Sequence, residues 1–220
     1  MTPLSIKGRK SRETTMKVLG RADSLNVRKV LWAASELGAG VDREDYGGPF
    51  GKTDTPEYLT MNPNGLVPTL VDGGAAIWES NTIIRYLAAV IPNDGFMGRD
   101  AAGAARISQW MDWQLTSLNP HMQVLFAQIV KLGDKRNEKI VEDNKAAADK
   151  LLNDVLARSL PDQGFLGGPK VTGGDVCVGV MLHRYVSLLG TSGLADRVTA
   201  YHRALADRPG FKTHVAIGKP

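Results

Sequence analysis

The chain has 220 residues, 43% of them hydrophobic and 23% charged, which is room for one large or two small globular domains with an ordinary core. It lacks an apolar run near the roughly 20 residues a bilayer span needs, and its basic, polar start lacks the apolar segment of a secretory signal. Of the formal charge of +4, residues 1–15 carry +3, so the remainder is nearly neutral; without a basic stripe interleaved with aromatics, nucleic-acid binding is excluded.

The lone Cys177 excludes an intrachain disulfide and a cysteine-built zinc cluster. A reducing, cytoplasmic setting is the expected one. Residues 1–15 read as a disordered extension, with Met16 opening the first domain.

Residues 17–19 form a short expected strand. From Val27 the apolar residues fall at Val27, Val30, Leu31, Ala34 and Leu37, the spacing of an amphipathic helix, which Gly38 and Gly40 end. Residues 41–46 are a weaker strand. A Gly/Pro-bearing loop over 47–60 holds one helical turn at 56–60.

Residues 67–71 and 75–78 are β-prone runs joined by Asp72-Gly73-Gly74, a hairpin loop. The first run opens with Val67-Pro68, and an X-Pro bond is where a cis peptide is tolerated. Ser80 or Asn81 is expected to cap the next helix, which runs to about residue 90. A linker at 92–95 follows.

Everything after the linker reads helical. Ile107, Trp110, Met111, Gln114, Leu115 and Leu118 trace one helix face, and Ile140, Leu151, Leu152, Val155 and Leu156 mark a second helix. A Gly/Pro-rich loop over 161–174 leads to Thr172-Gly173-Gly174-Asp175, a capping-box opening for a helix through about residue 189. Residues 194–205 form the last expected helix.

Several motif readings fail on spacing. Gly51-Lys52-Thr53 would need a glycine where Tyr46 stands to be a phosphate loop. His121, His183, His202 and His214 have no metal-ligand spacing. A structural or surface role is expected for all four, and no metal site is expected. Cys177, on an apolar helical stretch, is expected to be a small buried hydrophobe.

Four segments together resemble the glutathione S-transferase family over residues 16–211: Ser24-x-Asn26-Val27, Asn62-Pro63 with Gly65-x-Val67-Pro68, Glu79-Ser80, and Thr172-x-x-Asp175. The resemblance implies an α/β thioredoxin-like N-terminal domain over 16–94 and an all-α C-terminal domain over 100–220. It implies that Pro68 is cis, that the backbone of Val67 pairs with the cysteinyl part of glutathione, and that Glu79 and Ser80 hold the γ-glutamyl end. It assigns Thr172 and Asp175 to folding. Many relatives carry a basic residue for the glycyl carboxylate where this chain has Leu66; Lys52 is the nearest replacement.

Conjugation requires a thiolate, and a free thiol with a pKa of roughly 8.5 is only slightly ionised at neutral pH. A donor to the sulfur and a helix N-terminus both favour the anion. Ser24 matches the catalytic serine of theta-like and tau-like members; an N-cap is its other reading. Asn26 is the second candidate donor. Arg21 shares the loop and reads as solvated.

Trp113, Met122 and Phe126 are the expected wall of an apolar pocket for a small hydrophobic electrophile. Glutathione enters as co-substrate, without a permanently bound cofactor, and the resemblance implies a homodimer. A glutathione-dependent isomerase, lyase or dehalogenase would share the thiolate, and a non-catalytic binding protein would share the fold.

Overall fold

The computed structural model describes residues 16–218, so the expected extension at 1–15 lies outside the described residues. Among the described residues four strands form one sheet in the order β2-β1-β3-β4: β1 is Met16–Leu19, β2 Val41–Glu44, β3 Thr69–Asp72 and β4 Ala75–Trp78. β1 runs parallel to β2 and antiparallel to β3, and β3 pairs antiparallel with β4. The β1–β2 crossover is α1, Leu25–Glu36. A short α2, Pro56–Met61, precedes β3, and α3, Ser80–Val90, follows β4. This is the thioredoxin-like arrangement expected.

Two local expectations change. The hairpin joining β3 to β4 has two loop residues rather than three, because Asp72 pairs directly with Ala75. β3 begins at Thr69, beyond the cis Val67-Pro68 bond, since proline has no N–H to give a ladder.

The rest is helical: α4 Ala101–Trp113, α5 Asn119–Phe126, α6 Glu138–Lys150, α7 Ala157–Ser159, α8 Gly173–Leu189, α9 Asp196–Ala206 and α10 Pro209–His214. α10 was not expected. α4 passes into α5 through a π turn, Gln114–Leu118. Pro120 lacks an N–H and its ring crowds the carbonyl one turn back, and the wider turn absorbs that conflict. The buried face keeps helical spacing through it: Ile107, Met111, Gln114 and Leu118 point inward, while Leu115 is 44% exposed.

One core runs through both units. Val18 and Leu70 of the sheet, Val27 and Val30 of α1, Ile83 and Leu87 of α3, Met111 and Leu118, and Val176 to Leu182 of α8 belong to a single buried cluster. The expected box opens α8. The Asp175 carboxylate accepts from the Thr172 N–H at 2.8 Å and Oγ1 at 2.6 Å, from Leu166 N–H at 2.8 Å and from Tyr201 Oη at 2.7 Å. Burial raises its pKa, and these four donors oppose that rise. Among the described residues no helix is long and apolar enough to cross a membrane.

Candidate functional site

The loop from β1 into α1 sets the site. Gly20 donates to the Glu44 carbonyl at 2.8 Å, and Arg21 to the Tyr46 carbonyl at 3.0 Å. A side chain at position 20 would meet Val27 at 2.5 Å and Val67 at 3.3 Å, so only glycine lets the Val67 loop close against the start of α1. Ser24 occupies the N-cap position of α1 with extended backbone, yet its side chain makes no capping bond.

The Val67 loop is braced from behind. Asn62, 3% exposed, donates from Nδ2 to the Leu66 carbonyl at 2.7 Å and to Thr69 Oγ1 at 3.1 Å. Tyr58 Oη donates to the same Leu66 carbonyl at 2.7 Å and lies 2.9 Å from Thr69 Oγ1. The cis bond between Val67 and Pro68 is thus held from both flanks. This bracing gives Asn62 a physical role that spacing alone did not reveal.

Glu79 takes the N-cap position of α3 that was expected of Ser80 or Asn81. Its φ is 65°, its side chain makes no capping bond, and it is exposed. Ser80 is buried beneath it, and its Oγ donates to Asn26 Oδ1 at 3.3 Å. A notch of about 60 Å³ is lined by Asn26, Val67, Pro68, Glu79 and Ser80 among others. The N-terminal ends of α1 and α3 therefore meet here, and both direct backbone N–H groups and positive partial charge toward the notch.

A larger cleft of about 770 Å³ adjoins it, lined by Ser24, Asn26, Leu25, Gln114, Leu115 and Phe126 with further residues of α5 and α8. Asn26 belongs to both spaces. The structure thus brings together Ser24, Asn26, Val67, Pro68, Glu79, Ser80 and Phe126.

Three expected positions lie elsewhere. Met122 does not line the cleft: it is fully buried in the core, because inward positions fall at 118, 122 and 125 while 119, 123 and 126 face the cleft. Trp113 is half-buried and packs edge-on against Trp110, with ring centres 5.2 Å apart. Lys52 is turned onto its own loop: its Nζ lies 3.4 Å from the Asp45 carbonyl, 3.9 Å from Glu44 and 4.8 Å from the Tyr46 ring centre. The wall is also less apolar than expected, since Asn119, Gln123, Lys131 and Arg184 contribute to it. Arg21 lines the cleft rather than lying free in solvent.

Beneath the site lies a polar cluster that periodicity did not reveal. Lys29, 1% exposed, donates to Asn81 Oδ1 at 2.9 Å and to Gln114 Oε1 at 3.5 Å. Cys177 Sγ donates to the same Asn81 oxygen at 3.2 Å, and Asn81 Nδ2 reaches the Met111 carbonyl at 3.1 Å. Asn81 is therefore a tie between units and not a cap. Burial lowers the Lys29 pKa, against the pull of Cys177 and Glu79, and raises that of Cys177 to about 11. Cys177 is the buried residue expected, and at that pKa it is no thiolate nucleophile. Among the described residues no group of His, Cys, Asp and Glu could hold a metal ion.

Residues 23–90 match the family model described as glutathione S-transferase, N-terminal domain. The fold is similar to the crystal structure of the theta class glutathione S-transferase from the citrus canker pathogen Xanthomonas axonopodis pv. citri with glutathione bound. The TM-score is 0.86 at 31% identity, over 94% of this chain and 100% of that one. The chain is also 29% identical over 201 residues to glutathione S-transferase GstB of Escherichia coli K12, covering 90% of this chain and 96% of the relative. It is 29% identical over 170 residues to glutathione S-transferase F10 of Arabidopsis thaliana, covering 74% and 79%.

Proposed function

We infer, for a chain that belongs to the glutathione S-transferase family and is a glutathione transferase, that Ser24 and the N-terminus of α1 stabilise the thiolate of glutathione for attack on a small electrophile. One observation carries this reading. Ser24 stands where a serine ordinarily caps a helix, yet its hydroxyl makes no capping bond, and its residue lines the larger cleft. An uncommitted hydroxyl beside free helix N–H groups suits an anionic sulfur. Asn26, shared by notch and cleft, is the second donor.

The tripeptide is placed along the notch. The backbone of Val67, one residue before Pro68, pairs with the cysteinyl unit, and Glu79 with Ser80 takes the γ-glutamyl end. Lys52 is the basic side chain on the neighbouring loop for the glycyl carboxylate, and it would release Glu44 and Asp45 to reach it. The sulfur then points into the larger cleft, where Leu25, Leu115 and Phe126 pack the electrophile's apolar body. The thiol proton passes to solvent, the sulfur electron pair forms the new bond to carbon, and the leaving group departs with its own pair. The same reading takes the working unit to be a homodimer in a reducing cytoplasm.

Replacing Ser24 with Ala tests the assignment. A hydrogen bond to a charged group is worth about 1.5–3 kcal/mol, so the bound thiol's pKa should rise by about one to two units with glutathione affinity nearly kept. Ultraviolet thiolate absorbance against pH reads this directly. An unchanged titration would move the role to Asn26. Absence of calorimetric heat with millimolar glutathione would remove the whole reading.

A further inference from the structure

The cleft beside Ser24 holds a cation without an anion. Arg184 of α8 lies with its guanidinium carbon 4.5 Å from the centre of the Phe126 ring. Its Nε is buried and has no hydrogen-bond partner, and among the described residues no carboxylate lies within ion-pair distance of it. Arg21, also in the lining of the cleft, likewise has a buried and unpartnered Nε. The acid in the lining, Asp23, accepts from Arg21 Nη1 at 2.9 Å. Lys131 adds a further positive charge at the exposed rim.

Burial first, then the charges of Arg28 and Arg21, pull the Arg184 guanidinium down to about 10, so it stays a cation at neutral pH. A partly buried guanidinium whose Nε has no hydrogen-bond partner gains by receiving an anion. Its planar fork of donors matches a carboxylate.

We propose that the cleft is built for an electrophile carrying a carboxylate, with Arg184 as the residue that receives it and Phe126 and Val130 packing the apolar body between that carboxylate and the reacting carbon. The proposal rests on the conjugation reading above and narrows its substrate class. A neutral apolar electrophile would leave Arg184 desolvated and unpaired. The other carboxylate available is the glycyl end of glutathione, but the notch that would hold the tripeptide is lined by neither Arg184 nor Lys131.

The experiment compares two haloarenes with the same reacting ring, 4-chloro-3,5-dinitrobenzoate and its methyl ester, each corrected for its uncatalysed rate with glutathione. The protein should favour the acid by ~tenfold or more in kcat/KM, the range of a hydrogen bond to a charged group. Arg184→Gln should erase the preference by raising KM for the acid at least ~tenfold more than KM for the ester, and Arg184→Lys should keep part of the preference. Lys131→Gln, on the rim and away from the core, should reduce the preference about twofold, as a surface charge does.

Equal handling of acid and ester by the unmutated protein would overturn the proposal. So would a raised KM for glutathione in Arg184→Gln measured with the ester, which would give the anion's place to the glycyl carboxylate. If neither probe is turned over, the conjugation reading fails instead. Calorimetry with the S-aryl glutathione conjugates of the acid and the ester then decides the anion question: tighter binding of the acid conjugate supports it and equal binding overturns it.

Discussion

Glu79 is held at φ 65°, a left-handed conformation that costs a non-glycine residue roughly 1–2 kcal/mol. Its side chain makes no capping bond in return. Backbone strain of this kind persists at ligand sites, where the residue's position matters more than its comfort. Replacing Glu79 with Gly should therefore leave stability unchanged or raise it by up to about 1 kcal/mol, while weakening glutathione binding by ~tenfold or more. Thermal melting and calorimetric titration check the two halves. A lower melting temperature with unchanged affinity would return Glu79 to a structural role. At this scale it was the family resemblance, and not residue chemistry alone, that pointed to Ser24, Asn26, Glu79 and Ser80 as candidates. Periodicity missed Lys29, because the α1 apolar stripe at 27, 30, 31 and 34 marks lysine 29 as a solvated neighbour. Only the approach of Asn81, Gln114 and Cys177 from three other segments gives that ammonium a buried place.

At the scale of elements, α8, α9 and α10 meet on a stack of rings. His183 of α8 and His202 of α9 lie parallel with centres 5.5 Å apart, and His183 Nδ1 is 3.2 Å from His202 Nε2. Phe211 of α10 stands edge-on to both, and to Trp32 of α1. Burial, then His202 and Arg28, lower the His183 pKa to about 4, and burial lowers that of His202. The unfolded chain takes up these protons near 6.5 while the folded protein refuses them. Stability should thus fall as pH drops from 6.5 toward 4. Melting temperatures across that window should decline less steeply for His183→Gln than for the parent. Parallel slopes would show that the pair does not govern acid sensitivity. These histidines were read from sequence as structural or surface residues, and their stacking could not be read at all, because 183 and 202 sit on different helices.

Across the whole molecule, Trp32 is the joint. Its ring, on the sheet unit, is fully buried against Gly179 of α8 and Gly210 of α10, where an added side-chain carbon would lie 3.1 and 3.0 Å from it. Its Nε1 donates to Glu36 at 2.8 Å, and Glu36 receives the Arg208 fork at 2.6 Å on each oxygen. With one core crossing this joint, both units should unfold together. Gly179→Ala also drives a methyl to 2.6 Å from Leu205, so it should cost about 1–3 kcal/mol by overpacking and lower a single transition as a whole. Two separated calorimetric transitions would show that the units are energetically independent.

Periodicity, turn residues and capping signals by themselves determined the order of the strands and of the helices up to α9 in outline, and the box that opens α8, while the resemblance implied the cis-proline loop. Those are local effects, set by side-chain spacing and by what glycine and proline do to a backbone. The family-bearing spacings also placed Ser24, Val67 and Glu79 on one candidate site. Tertiary structure alone decided which helix positions face the cleft, because Met122 is covered by the core while Phe126, a turn on, is left at the cleft wall. It alone brought Arg184 and Arg21 to the cleft that holds Ser24, because a charge's partners, or their absence, depend on chains that meet from distant parts of the sequence.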